Sequence, residues 1–247
     1  MALPLPVNRR VNPPNDLTIT LENGAATTAL VYPASKNDRA STLILAHGAG
    51  AGQRSAFMVN VARAIASLGV RVVTFNFLYI EQRRRIPDRA PVLESCYRAV
   101  IEEVRSKFGD SPIFIGGKSM GGRIATQVSA ADPDQRIAGI VLLGYPLHPP
   151  GRPQQRRDKH LPEITCPMLF VQGSRDAFGT PEELAPIVES LGPSRARLYV
   201  VNGGDHSFKV GRADTAKQGV VLADVDRTVA AWIQQVSSIT SPSRRKP

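Results

Sequence analysis

The stretch Ile113-Phe-Ile-Gly-Gly-Lys-Ser-Met-Gly-Gly-Arg123 contains the pattern that decides the fold. An apolar run typical of a buried strand leads into Ser119, and a helix-forming segment follows it. Gly117 and Gly121 lie two positions before and after this serine. A turn this sharp brings the two flanking positions together, so both must lack a side chain, while the central hydroxyl projects above the sheet. The pattern predicts a nucleophilic Ser119 at the carboxyl end of a buried strand, facing the positive end of a helix.

A second motif overlaps the same turn, because Gly117-Lys118-Ser119 matches the end of a phosphate-binding G-x-x-x-x-G-K-S loop. That motif needs its first glycine at position 112, which is Pro112 in this chain. Residues 113–116 also have the pattern of a strand rather than a loop, so the backbone N–H groups that would surround a phosphate are missing. Nucleotide binding is therefore disfavoured.

Segments with strand and helix patterns alternate along the chain on both sides of this turn. The alternation predicts an α/β fold with a mostly parallel sheet of roughly eight strands and helices on both faces. Segments 17–21 and 27–32 flank Asn23-Gly24 and predict an antiparallel hairpin at a sheet edge. The remaining strands are predicted at 42–46, 70–75, 112–116, 137–143, 164–172 and 197–201, and the helices at 55–68, 92–108, 120–130, 181–191 and 219–236.

One domain is expected at residues 17–236 of the 247. A Pro/Asn-rich lead at 1–16 precedes it, and a basic tail at 237–247 follows and is expected to be disordered. Residues 145–162 form a long segment rich in Pro, Arg and Gln after a predicted strand. Such a segment is a candidate rim or lid over the strand ends.

The composition, with 42% hydrophobic and 21% charged residues, is typical of a soluble globular protein. The net charge of +10 would attract anions such as nucleic acid, anionic lipid or acidic substrates. Much of it lies in clusters such as Arg83-Arg84-Arg85, with no aromatic residues between them. This pattern favours a solvated basic surface over nucleic-acid binding.

Two cysteines, Cys96 and Cys166, have no C-x-x-C partner, so reduced structural thiols are expected and no metal site or cofactor is predicted. The lead at 1–16 lacks the apolar run of a signal peptide, and no later run has membrane-spanning length. A cytoplasmic protein without membrane contact is expected. The oligomeric state is left open.

A nucleophilic serine needs a general base and an acid that orients the base. Asp176 comes just after the predicted strand 164–172, and His206 comes just after the strand 197–201. The order serine, acid, histidine is the order that a strand–turn–helix nucleophile of this kind requires. We therefore predict Ser119, Asp176 and His206 as the catalytic residues, with a turn aspartate and a hydrogen-bonded loop histidine as the alternatives for the last two.

The choice of histidine follows from the positions of all four. His206 alone follows the last predicted strand, whereas the others are His47, His148 and His160. Two N–H groups should bind the oxyanion, one from Met120, which follows the serine, and one from the loop after strand 42–46. Ala49 in the glycine-rich segment 47–52 is the predicted second donor, although such a segment also suits a close-packed turn.

At these residues the chain resembles the α/β-hydrolase superfamily, most closely its dienelactone-hydrolase-like branch. The phrases Phe75-Asn-Phe, Arg84-Arg-Ile-Pro-Asp88 and Gly144-Tyr-Pro-Leu-His-Pro-Pro150 are similar to a poorly characterised subgroup. That subgroup includes a testis-expressed protein and a hydrolase-like subunit of a chromatin acetyltransferase complex. The resemblance implies the α/β-hydrolase fold with Ser119, Asp176 and His206 in the triad positions. Usual dienelactone hydrolases have a cysteine nucleophile where this chain has Ser119.

Three further side chains are candidates for substrate binding. Arg84 lies in the arginine-rich segment 78–90 after a strand and would attract an acidic substrate, or alternatively bind carboxylates of its own scaffold. Tyr145 and His148 follow the next strand end and are expected to line the pocket. The function predicted is a serine hydrolase acting on a small ester-type substrate through an acyl-serine intermediate. The alternative is a catalytically weak or inactive module for binding or assembly, and a nucleic-acid-associated protein is favoured least.

Overall fold

The computed structural model describes residues 13–35, 40–211 and 215–240, and its centre is an eight-stranded sheet. The spatial order of the strands is β1-β2-β4-β3-β5-β6-β7-β8. The strands are β1 (Asn15–Thr20), β2 (Ala26–Tyr32), β3 (Thr42–Ala46), β4 (Arg71–Phe75), β5 (Ile113–Lys118), β6 (Gly139–Leu143), β7 (Met168–Gly173) and β8 (Ala196–Val201). The helices are α1 (Ala56–Ser67), α2 (Leu78–Glu81), α3 (Ala90–Phe108), α4 (Met120–Ala131), α5 (Pro181–Leu191) and α6 (Thr215–Thr240).

The direction of the strands follows the prediction from the alternating elements. β1 pairs with β2 and β2 with β4 in antiparallel fashion, whereas the pairs from β4 through β8 are parallel. Gly24 at the hairpin turn has φ +78°, a conformation that glycine adopts without strain. The predicted mostly parallel sheet with an antiparallel edge hairpin is confirmed.

Each face of the sheet carries its own apolar layer. Helices α3, α4 and α5 pack on one face through residues such as Tyr97, Ile124 and Leu184, while α1 and α6 pack on the other through residues such as Ile65 and Trp232. Strand β3 divides its side chains between the two layers because successive residues of a strand point to opposite faces. The parallel strands are therefore buried on both sides, as their continuous apolar sequences predict.

Some element boundaries differ from the prediction. The strand expected at 164–172 begins only at Met168, since residues Leu161–Glu163 form a 3-10 turn before it. The last helix continues to Thr240, so the first four residues of the predicted disordered tail are helical, and residues 241–247 lie outside the described residues. Residues 1–12 of the predicted lead lie outside them as well.

The short helix α2 was not predicted, and its Leu78 and Tyr79 are buried in the core. Among the described residues no helix is both long and apolar enough to cross a membrane.

The turn from β5 to α4 approaches the end of β3 so closely that glycine is required there. A Cβ on Gly117 would lie 2.6 Å from the Ala46 carbonyl oxygen, and a Cβ on Gly121 would lie 2.7 Å from the His47 carbonyl oxygen. Real Cβ atoms do not approach backbone atoms this closely, so any side chain at these positions would force the backbone apart. The two glycines therefore let α4 start directly against the end of the sheet.

Replacing Gly121 by alanine is expected to lower the free energy of unfolding by about 1–3 kcal/mol, because the new methyl group meets the backbone of Ala46 and His47. Gly219→Ala is a matched control in α6, where a Cβ would meet nothing within 4 Å. This control is expected to raise the free energy of unfolding by about 0.5–1 kcal/mol, since alanine favours the helix. Urea unfolding curves measure both changes, and a Gly121→Ala protein as stable as Gly219→Ala would contradict the packing argument.

Candidate active site

The structure brings Ser119, Asp176 and His206 together at the carboxyl ends of three parallel strands. Ser119 joins β5 to α4, Asp176 follows β7 and His206 follows β8. The His206 Nε2 atom lies 2.8 Å from Ser119 Oγ, and His206 Nδ1 lies 2.8 Å from Asp176 Oδ2. If Nδ1–H donates to the carboxylate, Nε2 is left as an acceptor for the serine hydroxyl. The arrangement can therefore take a proton from Ser119.

The acid of this arrangement is buried and fully engaged. Asp176 is only 1% exposed. Its Oδ1 accepts the Phe178 N–H at 2.9 Å, and its Oδ2 accepts both the His206 ring and the side-chain amide of Gln172 at 2.8 Å. These three hydrogen bonds hold the carboxyl group in a fixed orientation against the imidazole. The ring of Phe178 stacks on His206 with 4.2 Å between the ring centroids, which restricts the imidazole to one plane.

Ser119 has a strained backbone with φ 51° and ψ −115°, although it is not a glycine. The hydrogen bond from its N–H to the Leu143 carbonyl, 3.0 Å long, and the crowded glycine turn hold it in this conformation. Strain at a non-glycine residue persists only where the surroundings enforce it, and it is common at reactive side chains. Here the strain directs the hydroxyl away from the sheet and toward His206.

The predicted oxyanion donors lie beside Ser119. Met120 is the first residue of α4, so its N–H belongs to the first turn, where no carbonyl of the helix accepts it. Gly48 and Ala49 line the same cavity as Ser119, and a Cβ on Gly48 would lie 3.6 Å from Ser119 Cβ. The structure thus places Met120 and the loop with Gly48 and Ala49 next to the serine.

His47 anchors the loop that contains Gly48 and Ala49. Its ring is fully buried, its Nε2 accepts the Phe77 N–H at 3.1 Å, and its Nδ1 donates to the Gly48 carbonyl at 2.8 Å. Burial lowers the pKa of His47, so the ring is neutral and its two nitrogens keep fixed donor and acceptor roles. His47 therefore anchors the loop and is not available as a base.

An open cavity of about 550 Å³ lies in front of Ser119. Apolar side chains from α1 and α6 form much of its wall, and Lys209 and Gln218 add polar groups. Its apolar lining includes Ala49, Phe57, Met58, Phe178 and Leu222. The site can accommodate a small, largely apolar group next to the nucleophile.

The three residues predicted to bind substrate lie elsewhere, and none of them lines this cavity. Tyr145 is fully buried, with its hydroxyl donating to the Arg157 carbonyl at 2.6 Å. His148 is 5% exposed and lies 3.1 Å from the Glu183 carboxylate. Arg84 forms an ion pair with Asp88 at 2.6 Å, in agreement with the alternative that it binds the scaffold. The structure therefore gives these side chains scaffold contacts in place of the expected substrate contacts.

The segment 145–162, considered as a rim or lid, also contributes no residue to the cavity. Leu147 and Leu161 are fully buried and hold it against the body of the protein. The prediction was based on a long polar stretch after a strand. Such a stretch does not indicate whether the segment packs over the cavity or against the body of the protein.

Sequence reasoning missed two buried polar residues next to the triad. Gln172 in β7 is fully buried, and its amide bridges Asp176, the Tyr145 backbone and the Gly179 carbonyl. Lys118, the last residue of β5, is 9% exposed, and its Nζ donates to the His206 carbonyl at 2.5 Å. The available signal was a polar side chain at the end of an otherwise apolar strand. Lys118 was considered only as part of the rejected phosphate-loop motif.

Among the described residues, no three His, Cys, Asp or Glu side chains lie close enough together to bind a metal ion. Cys96 and Cys166 are unpaired by disulfide, and burial raises the pKa of both thiols. Neither thiol is poised as a nucleophile.

Comparison with known proteins gives the same fold. A serine hydrolase homologue from Coxiella burnetii superposes with a TM-score of 0.71 at 19% identity, over 91% of this chain and 98% of that one. A serine hydrolase without a lid from Xanthomonas campestris gives 0.68 at 19% identity, over 96% and 98% of the two chains. Dienelactone hydrolase from Anabaena variabilis gives 0.67 at 16% identity, over 91% and 99%. Identities this low show likeness of fold alone.

The family assignment comes from the sequence match. The model of a family described as an alpha/beta hydrolase domain matches residues 39–234, which span β3 to α6 and include the serine turn, Asp176 and His206. The expected α/β-hydrolase fold is confirmed, and this chain belongs to the alpha/beta hydrolase domain family.

Proposed function

We propose that the protein is a serine hydrolase that cleaves small ester-type substrates through an acyl-serine intermediate. One observation carries this proposal: the unbroken chain of hydrogen bonds from Ser119 through His206 to Asp176 at the mouth of a cavity. A buried aspartate, a correctly oriented imidazole and an accessible hydroxyl are the parts that acyl transfer requires. Carboxylesters and thioesters both fit this chemistry.

The reaction would begin with attack of Ser119 Oγ on the substrate carbonyl carbon, while His206 Nε2 takes the hydroxyl proton. The N–H groups of Met120 and Ala49 would stabilise the oxyanion of the tetrahedral intermediate. Collapse breaks the bond to the leaving alcohol or thiol, which receives the proton from His206. A water molecule, deprotonated by His206, then attacks the acyl-serine. The bond between the acyl carbon and Ser119 Oγ breaks, His206 returns the proton to Oγ, and the carboxylic acid is released. Asp176 keeps the imidazole oriented and stabilises its cation.

The cavity supports a small substrate with an apolar part. Phe57, Met58 and Leu222 offer an apolar wall to an acyl or alcohol group. The cavity is open to solvent, so a leaving group can depart without passing through a deep tunnel. Membership of the narrower testis-expressed and chromatin-associated subgroup is part of this proposal and rests on the phrases at 75–77, 84–88 and 144–150.

The alternative, a hydrolase-fold module for binding or assembly, would not need an intact triad. Both hydrogen bonds of His206 are formed, and Ser119 keeps its strained conformation. Maintaining a strained residue costs free energy, so its retention favours a role in chemistry. No observation on the described residues favours the alternative specifically.

A fluorophosphonate probe is expected to label the protein covalently at Ser119. The serine hydroxyl attacks the phosphorus atom of the probe, and the tetrahedral adduct resembles the intermediate of ester hydrolysis. Ser119→Ala should abolish labelling and hydrolysis of a p-nitrophenyl ester. Ser190→Ala is the matched control, since the Ser190 hydroxyl only donates to the Ile187 carbonyl within α5. Intact-mass spectrometry measures the adduct. A folded wild-type protein that remains unlabelled would overturn the proposed function.

Asp176→Asn is expected to lower kcat by about 10³–10⁴-fold with little change in KM, because an amide cannot hold His206 in the productive tautomer. Asp16→Asn serves as the control, since the Asp16 carboxylate forms only an exposed ion pair with Arg54. Steady-state kinetics on the same ester separates kcat from KM. Equal rates for the two variants would show that Asp176 does not orient the base.

A further inference from the structure

Lys118 is a buried cation that the triad mechanism does not use. Its backbone immediately precedes Ser119, but its side chain extends toward the ends of β6 and β8. The Nζ atom donates to the His206 carbonyl at 2.5 Å and lies 5.7 Å from the centre of the Phe208 ring and 5.9 Å from that of Phe57. A lysine is seldom withdrawn from water unless its ammonium group is specifically bound.

Gly144 permits this close approach. A Cβ at residue 144 would lie 2.9 Å from Lys118 Nζ, 3.1 Å from the His206 carbonyl oxygen and 3.3 Å from His206 Nδ1. The ammonium nitrogen is therefore no more than about 6 Å from the imidazole ring, because both lie within about 3 Å of that one point. The lysine therefore holds the backbone close to the ring that faces Ser119.

The charged groups that face Lys118 come from two loops. Asp176 after β7 and Asp205 after β8 both favour the charged form of the ammonium, whereas burial opposes it more strongly and lowers the pKa of Lys118 to about 8. β6 contributes only the Gly144 backbone, and α1 contributes the uncharged ring of Phe57. Lys118 is therefore positively charged throughout the neutral and acidic range in which a histidine base ordinarily titrates.

We propose that Lys118 is a positioning residue for the catalytic base. Its hydrogen bond fixes the backbone of His206, so that Nε2 stays against the serine hydroxyl. This inference rests on the proposed hydrolase function.

Asp176 and Lys118 hold different parts of His206. The reaction needs an imidazolium cation transiently, and the Asp176 carboxylate, 2.8 Å from Nδ1, stabilises that cation directly. Lys118 contacts the backbone carbonyl of His206 and leaves both ring nitrogens to the triad. It therefore holds the base in place without competing for a catalytic hydrogen bond.

The test compares kcat and KM of Lys118→Met and Lys118→Arg. Lys118→Met removes the donor, so the base is no longer held against the serine and kcat should fall about tenfold or more with little change in KM. Lys118→Arg keeps a cationic donor and should recover part of this loss. An unchanged kcat in Lys118→Met, or a loss that Lys118→Arg does not reduce, would overturn the inference.

Gly144→Ala is a second route to the same result and does not alter the lysine. The added methyl group should displace the ammonium from the His206 carbonyl, with the same loss of kcat. Gly151→Ala is the matched control, because Gly151 has a similar φ of +71° but nothing within 4 Å of its Cβ position. Its kcat should equal that of the wild type. Equal kcat values for the two alanine variants would contradict the proposed role of the close approach.

NMR signals of the His206 ring, in wild-type and Lys118→Met proteins, separate this inference from the proposed function. The ring signals should change position or broaden in Lys118→Met whether or not the protein turns over an ester, because the ring is no longer held in one place. Unchanged ring signals would contradict the inference, while absence of fluorophosphonate labelling in the wild type would contradict the proposed function alone.

Discussion

The rest of the site depends on the close approach of the β5–α4 turn to the end of β3. Gly117 and Gly121 have no side chains, so the turn lies directly against the Ala46 and His47 backbone. This contact forces Ser119 to a φ of 51° and directs its hydroxyl outward. It also places the loop with Gly48 and Ala49 beside the serine, where its N–H groups can act. One steric constraint thus positions both the nucleophile and the proposed oxyanion donors.

The parallel sheet explains how residues so distant in sequence meet. Strands β5, β6, β7 and β8 are parallel and end at one edge, so the segments after them supply Ser119, Gly144, Asp176 and His206 to a single region. The sheet cannot set the orientation of these side chains, which depends on buried polar contacts. Gln172 and the Phe178 N–H hold the Asp176 carboxylate, and the Phe178 ring restricts His206. Burial strengthens these contacts and makes the loss of any one of them costly.

The two buried charged side chains of the site, Asp176 and Lys118, both have hydrogen-bond partners. The Asp176 carboxylate receives three hydrogen bonds, and the Lys118 ammonium donates to a carbonyl and faces two carboxylates. Arg84, the cation predicted from sequence, is neutralised by Asp88, whereas Lys118, a cation that was not predicted, lies within the site.

The sequence by itself determined the order of elements, the glycine turn and the serine, acid and histidine after successive strands, because spacing and periodicity report local backbone conformation. Only the tertiary structure decided which side chains meet at the strand ends. Tyr145 and His148 follow a strand as a pocket residue would, yet they point into the scaffold. Lys118 bonds to the His206 carbonyl and Gln172 to the Tyr145 backbone, partners that lie 88 and 27 residues away, and such contacts have no periodic signal. The sequence therefore determined where the chemistry can lie, and packing decided which buried polar groups support it.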